Sequence, residues 1–213
     1  MTLETSKLLG EIGALLLVVS PFGGSIGNAL GLVGLVLLLV VFNDLAEHYG
    51  DRAIFRNVLW GIVIFVVGVV IAAAIISIAA AGALTQIGLQ MSSWSDPASW
   101  QGVDWNGLNY NALAPYFAAM IIALIILFAM TVVAAFYMRK SFLILSHRTG
   151  VGMFATSGLI LLIGAILTIV LIGFLLLWIA MILLAIAFFR WKIERPVPVQ
   201  PVISNEPSIR PQG

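Results

Sequence analysis

The chain has 213 residues, of which 62% are hydrophobic and only 9% are charged, and its mean hydropathy is +1.15. Soluble domains carry roughly 25% charged residues, so this chain lacks the polar groups needed to cover its own surface and is predicted to use lipid as solvent for much of it. The net charge of +1 gives no electrostatic reason to expect nucleic acid as a partner, and the absence of cysteine excludes disulfides, thiolate metal sites and iron–sulfur clusters.

Six apolar segments are long enough to cross a membrane, which takes about 17–25 residues in a helix. They lie near residues 3–19, 26–42, 58–84, 113–138, 152–169 and 173–189. The last two come from one apolar block that would be about 60 Å long as a single helix, twice the hydrocarbon thickness. We therefore expect a turn near 168–173. The predicted fold is an all-α bundle of six transmembrane helices in three in–out–in hairpins, with residues 1–192 as its domain.

The first segment could be mistaken for a signal peptide, because a short apolar run follows Lys7. Two acidic residues, Glu4 and Glu11, stand in this leader, and the run ends in a Ser-Pro-Phe-Gly-Gly stretch without a small-residue cleavage motif. We interpret it as a retained helix.

Basic residues predict the orientation. When successive loops are assigned to alternate sides, all ten Lys and Arg residues fall on one side, and the other side receives only Asp96 and Asp104. Cytoplasmic loops carry the excess of Lys and Arg. The protein is therefore predicted to lie in the cell membrane with both termini cytoplasmic. Trp60, Tyr137 and Trp191 fall at helix ends on the same side, where amphipathic rings prefer the headgroup layer.

Three glycines of the second segment, Gly27, Gly31 and Gly34, place small residues on one side of a helix, and the first two have the G-x-x-x-G spacing of close helix packing. Their contact is predicted to be another helix of the same chain, with dimerisation as the alternative. Glu11 is the ionisable residue within a predicted span. Such residues often mark transport paths, but the favoured interpretation is an interfacial carboxylate that pairs with Lys7, four residues earlier, or reaches to the inner surface.

The inner loop at 43–57 is the most informative polar stretch. Asp44 and Asp51, with Glu47 and His48, are residue types that hold hard metal ions. The alternative is structural, with Gly50 ending the second helix and Asp51 capping the third. Arg52 and Asn57 complete the set of candidate contact residues in this loop.

Three stretches resemble an uncharacterised family of small, mainly archaeal multi-pass membrane proteins, known as a domain of unknown function. They are the N-terminal LETSKLLG at 3–10, the loop GDRAIFRN at 50–57 and the run GLILLIGAILTI that begins at Gly158. The resemblance covers the first three helices and the last hairpin, and it does not include the long outer loop. It implies the architecture and brings no activity, ligand or functional residue.

The outer loop, at about 85–112, contains Trp94, Trp100, Trp105 and Tyr110. Loops of this length are usually functional or disordered, and the aromatic content argues against disorder. The rings can lie in the headgroup layer, pack on the helix ends or anchor a partner. The tail at 193–213 contains prolines typical of extended or disordered segments.

No phosphate-binding, dinucleotide-binding, zinc-protease or serine-hydrolase motif occurs, and the two histidines both lie in inner loops. The sequence favours a non-enzymatic protein without a cofactor, acting through contacts with lipid, with other membrane proteins or with itself as an accessory or assembly component. The alternatives are a small transporter or channel, completed by oligomerisation, and a lipid-modifying enzyme that uses the 43–57 loop.

Overall fold

The computed structural model describes residues 2–90, 92–103 and 109–192, and no strand occurs in these ranges. Six α-helices follow one another: α1 (Leu3–Val19), α2 (Gly24–His48), α3 (Ala53–Gln86), α4 (Tyr110–Thr149), α5 (Gly152–Leu167) and α6 (Ile172–Arg190). All six, with the short turns that extend α1 and α5, are long and apolar enough to cross a membrane. The predicted all-helical bundle is confirmed, and the chain is a multi-pass membrane protein.

The helices pair in chain order as three hairpins, α1–α2, α3–α4 and α5–α6. Neighbouring hairpins pack through α2 against α3, α4 against α5, and α1 against α6. The bundle is therefore a ring in which each helix contacts its sequence neighbours and the first helix contacts the last.

Two helix ends share one hydrogen-bonded turn, in which glycine has a conformation that other residues adopt at a cost. Gly50 after α2 and Gly88 after α3 have φ of 64° and 80°. In both, the next residue's N–H reaches back five residues, from Asp51 to the Ala46 carbonyl and from Leu89 to the Leu84 carbonyl. This is the Schellman pattern, which satisfies carbonyls that a helix end leaves open.

The α4 helix is longer than its predicted span. The basic stretch after residue 138, which hydropathy assigns to an inner loop, is helical: α4 continues to Thr149, and Gly150, with φ of 71°, ends it. A hydropathy pattern indicates where the chain leaves the membrane. The helix itself can continue into water until a residue such as glycine ends it.

The larger of the two buried hydrophobic clusters lies at the basic end of the bundle. Its large, fully buried side chains come from α2, α3, α4, α5 and the α6 end: Phe42, Leu45, Ile54, Leu145, Phe154, Phe188 and Trp191. The Phe42 ring stacks on Phe142 at 5.6 Å and meets Phe188 edge-on. The hydrophobic effect favours such packing where water is the alternative, and it does not act between helices surrounded by lipid tails.

The three hairpins differ in length. At 1.5 Å per residue, the 34 and 40 residues of α3 and α4 extend about 51 and 60 Å, whereas α5 and α6 extend about 24 and 28 Å. Because short turns join α2 to α3 and α4 to α5 at the basic end, the α5–α6 hairpin ends about halfway along α3–α4. We call the part of α3–α4 beyond that point, residues 70–86 and 110–130, the distal arm.

Candidate functional site

The sequence-predicted polar residues of the 43–57 loop lie at the basic end, around the core. Ser6 on α1 is buried, and its hydroxyl donates to Asp44 Oδ2 at 2.6 Å. Asp44 thus joins the last turns of α2 to the start of α1.

Asp51 serves the neighbouring connection. Its Oδ1 accepts from the Ala53 N–H at 3.1 Å, at the start of α3, and its Oδ2 pairs with Arg148 of α4 at 3.2 Å. This one carboxylate therefore links the α2–α3 loop to the end of α4.

Arg52 is exposed directly before α3, and Asn57 is half-buried in its second turn. Glu47 accepts from the Asn43 amide at 3.3 Å, one turn earlier on the same helix. In the described parts of the chain, no three His, Asp or Glu residues are grouped closely enough to hold a metal ion. The geometry gives Asp44 and Asp51 helix-joining contacts.

Glu11 lies one turn above Lys7, and its Oε1 is 3.7 Å from the Lys7 ammonium. Both side chains are largely covered. The structure therefore joins the intramembrane carboxylate to the predicted basic neighbour.

The three glycines of α2 face α1 of the same hairpin. A Cβ at Gly27 would collide with the Ser20 carbonyl oxygen, one at Gly31 would lie 3.2 Å from the Ser20 Cβ, and one at Gly34 would lie 2.7 Å from the Gly13 carbonyl oxygen. The small residues allow two backbones to approach closely, as G-x-x-x-G patterns do. Of the two predicted contacts, the structure shows the one within the chain.

Two hydrogen-bonded features organise the described part of the outer loop around Trp94 and Trp100. Asp96 caps a short 3₁₀ turn at Pro97–Gly102, and the Trp100 indole N–H donates to the Trp94 carbonyl at 2.7 Å. The Trp94 ring itself is exposed, as is Tyr110 at the start of α4. Trp105 and the tail at 193–213 lie outside the described residues.

Sequence reasoning missed the polar groups that join the helices. The buried Ser141 hydroxyl donates to the Ile54 carbonyl at 2.7 Å between α4 and α3, and the buried Ser157 hydroxyl donates to the Ala180 carbonyl at 2.9 Å between α5 and α6. The Trp178 indole N–H donates to the Val18 carbonyl at 3.0 Å between α6 and α1. Ser157 stands beside Gly158, and small residues are common at helix contacts, but Ser141 lies between Lys140 and Phe142 and carries no such signal.

A cleft that the sequence did not predict opens where the α5–α6 turn meets the longer hairpin. Its volume is about 570 Å³, and it lies between the middle of α3 and α4 and the turn after α5. Apolar side chains line it, with Phe65, Leu124, Phe128 and Leu171 among them, and the two hydroxyls are those of Thr131 and Thr168. We call it the step cleft.

A family model described as a protein of unknown function, DUF996, matches residues 30–182. The chain belongs to this family. It is also similar to the uncharacterized protein MJ1644 of Methanocaldococcus jannaschii, with 28% identity over 189 residues that cover 89% of this chain and 93% of that protein. No solved structure matches the chain.

The family match confirms the predicted resemblance to an uncharacterised family with an archaeal relative. The matched residues run from α2 into α6 and include the outer loop, which the resemblance had left out. The matched range contains the four connections that lead from α2 to α6, and it brings no reaction with it.

Proposed function

We propose that this protein is a non-enzymatic accessory or assembly component of a membrane complex, which acts through helix and loop contacts and has both termini in the cytoplasm. The observation that supports this proposal most is the distal arm, a two-helix hairpin of apolar side chains that extends beyond the α5–α6 hairpin.

The distal arm is packed mainly within itself. Gly82 faces the Tyr116 ring across the α3–α4 contact, and Gly68, just before the arm begins, faces the Met130 side chain. The other sides of the two helices are exposed, and Ile78 on α3 has a relative exposure of 74%. A pair of small-residue helices with open apolar flanks suits packing against another membrane helix.

The interior offers little for transport. The buried polar side chains among the described residues are Ser6, Ser141 and Ser157, and each donates to another helix. A transport path requires polar or ionisable groups that face a cavity near the bilayer middle. The bonds of these serines instead serve to hold helices together, which supports a contact function.

The orientation in this proposal rests on the basic residues. Arg56, Lys140 and Arg148 stand at the same end of the bundle as Lys192, which agrees with a single basic, cytoplasmic end under the positive-inside rule.

The test compares two matched variants. Ile78→Trp changes the distal arm, and Ile26→Trp changes an isoleucine of nearly equal exposure, 71%, on α2. Each tagged variant and the wild type are cross-linked in native membranes and extracted in mild detergent, and the retained proteins are identified by mass spectrometry.

We expect a defined set of membrane proteins, or further copies of this chain, whose recovery falls about tenfold with Ile78→Trp, equivalent to about 1.4 kcal/mol of affinity. Recovery should persist with Ile26→Trp. Equal recovery from both variants would remove the distal arm from the contact, and the absence of any specific set from the wild type would overturn the proposed function.

A further inference from the structure

Residues of α3 and α4 indicate how deep the α5–α6 turn lies in the membrane. Arg139 and Lys140 lie on α4, and the Lys140 ammonium stands 4.5 Å from the centre of the Phe136 ring. A charged side chain at the bilayer centre costs about 2.5–3.5 kcal/mol even on insertion scales. These two residues therefore mark one headgroup layer. Trp60 agrees, because the adjacent Gly61 faces Met138 across the α3–α4 contact.

The turn lies well inside that boundary. Thr131 of α4 and Thr168 at the turn line the same cleft. Along α4, Thr131 is about 14 Å beyond Lys140 at 1.5 Å per residue, and the hydrocarbon layer is about 30 Å thick. The turn therefore comes level with the middle of the bilayer, and the distal arm extends through the remaining half.

The composition of the turn fits this depth. Ile169 and Leu171 are each 74% exposed. Leu171 has φ of 62°, a conformation in which glycine or asparagine is usual and leucine is strained by about 1–2 kcal/mol. A leucine there is unfavourable in water and suits a turn that faces hydrocarbon.

The backbone of the turn is also adapted to an apolar solvent, in which each unsatisfied polar group costs several kcal/mol. The Leu171 N–H donates to the Thr168 carbonyl at 3.1 Å, and the Phe174 N–H donates to the Leu171 carbonyl at 3.2 Å. These two hydrogen bonds satisfy some of the backbone N–H and C=O groups of the turn without water.

The two hydroxyls that line the step cleft beside the turn have no proton free to donate to a ligand. The Thr131 hydroxyl donates to the Leu127 carbonyl at 2.8 Å, and the Thr168 hydroxyl donates to the Gly164 carbonyl at 2.9 Å. Water in a cavity needs two to four polar partners. The chemistry of the lining therefore selects an apolar occupant.

The size of the cleft argues against a helix. A helix of about 10 Å diameter would fill 570 Å³ with only about 7 Å of its length, little more than one turn. The same volume lies within the range of about 300–1,000 Å³ of small-molecule sites. A slender chain fits better than a helix of a second copy.

We propose that the α5–α6 hairpin is re-entrant, turning inside the hydrocarbon, and that the step cleft binds the hydrocarbon chain of a lipid from the leaflet remote from the basic end. The lipid fills the half of the bilayer that the short hairpin does not reach. The inference stands on the geometry of the cleft and does not depend on a partner for the distal arm.

The first experiment probes the occupant. The purified protein is reconstituted in phosphatidylcholine vesicles containing a phosphatidylcholine with a photoreactive group at the end of one acyl chain, and lipid adducts are mapped by mass spectrometry. Leu124 faces the cleft and Ile122 faces away from it on the same helix, with 56% and 55% exposure. The two positions are therefore matched for contact with bulk lipid.

We expect adducts at Leu124 and at the turn to exceed those at Ile122 several-fold. Leu124→Trp, which fills the cleft, should lower adducts at the turn several-fold, whereas Ile122→Trp should not. Equal labelling of the two faces would mean bulk lipid only and would overturn the proposal. Chain-to-chain disulfides formed by Leu124→Cys would assign the cleft to a second copy and would also overturn it.

The second experiment measures depth and does not require a filled cleft. Because the chain has no cysteine, a single Ile169→Cys can be compared with Ser93→Cys in the outer loop. In vesicles, we expect a membrane-impermeant maleimide to label Ser93→Cys and to leave Ile169→Cys unreacted until detergent is added. Labelling of Ile169→Cys in intact vesicles from the side that labels Ser93→Cys would show that the turn reaches water, and the re-entrant hairpin would be wrong.

Discussion

Gly13 of α1 and Gly34 of α2 face each other across the first hairpin, so closely that a Cβ at Gly34 would lie 2.7 Å from the Gly13 carbonyl oxygen. The obstacle is a backbone atom, which cannot rotate away as a side chain does. The hairpin is therefore held by a contact that tolerates no added methyl group at this position.

Gly34→Ala is expected to destabilise the bundle. Overpacking costs about 1–3 kcal/mol, and the gain in helix propensity from glycine to alanine offsets up to about 1 kcal/mol of it. Thermal unfolding in detergent should therefore show a lower Tm. Gly152→Ala is the control, since nothing lies within 4 Å of a Cβ there, and an equal loss in both variants would contradict the close contact.

Ser157→Ala is expected to loosen the last hairpin, because it removes the buried hydrogen bond to the Ala180 carbonyl. Interhelical hydrogen bonds in membranes contribute about 0.6 kcal/mol on average and up to about 1.7 kcal/mol. The neighbouring Thr156→Ala loses only an exposed bond to its own helix, at Gly152. Denaturant titration in mixed micelles should give Ser157→Ala a lower free energy of unfolding than Thr156→Ala. The reverse order would count against a hydrogen bond between α5 and α6.

Glu11→Gln is expected to leave folding and ion permeability unchanged. Its carboxylate pairs with Lys7 at 3.7 Å one turn earlier on the same helix, and such i, i+4 pairs contribute only about 0.2–0.5 kcal/mol. Ion flux into liposomes and the detergent Tm should both match the wild type. A selective loss of flux with an unchanged Tm would instead support a transporter.

Both termini are expected to be cytoplasmic. Because α4 continues to Thr149, reporter fusions belong after Gly150 and after Trp191, beyond the ends of α4 and α6. Both should report the cytoplasmic side, and a fusion in the outer loop after Ser93 should report the opposite side. An external signal from either of the first two would overturn the orientation.

Trp94 and Trp100 are expected to behave differently. Trp100→Ser removes the indole N–H that donates to the Trp94 carbonyl and should increase proteolysis of the loop. Trp94→Ser removes an exposed ring, so the loop should remain resistant, and if the loop contacts a partner, only the recovery of that partner should fall. Equal proteolysis in the two variants would show that the hydrogen bond does not order the loop.

Particular elements show how far sequence reasoning reached. Segments of apolar residues longer than 16 predicted helices, and the break of the last apolar block within 168–173 was placed by length alone, where the chain turns at Thr168–Leu171. The glycines of α2 were recognised by spacing, but spacing does not say which helix they meet. The serine links were missed, because one hydroxyl in an apolar run has the same sequence signal whether it meets another helix or its own.

The sequence by itself determined that this is a six-helix membrane protein with its basic residues at one end, because apolar length and charge are summed along the chain and need no knowledge of contacts. The tertiary structure alone decided that the core concentrates at that end, that α5–α6 stops halfway along α3–α4, and that the resulting step encloses an apolar cleft. These features depend on the register of one hairpin against another. That register depends on which small residue, ring or hydroxyl of one helix contacts which residue of another. Such contacts join residues that are distant in sequence, so the spacing of residues along the chain does not reveal them.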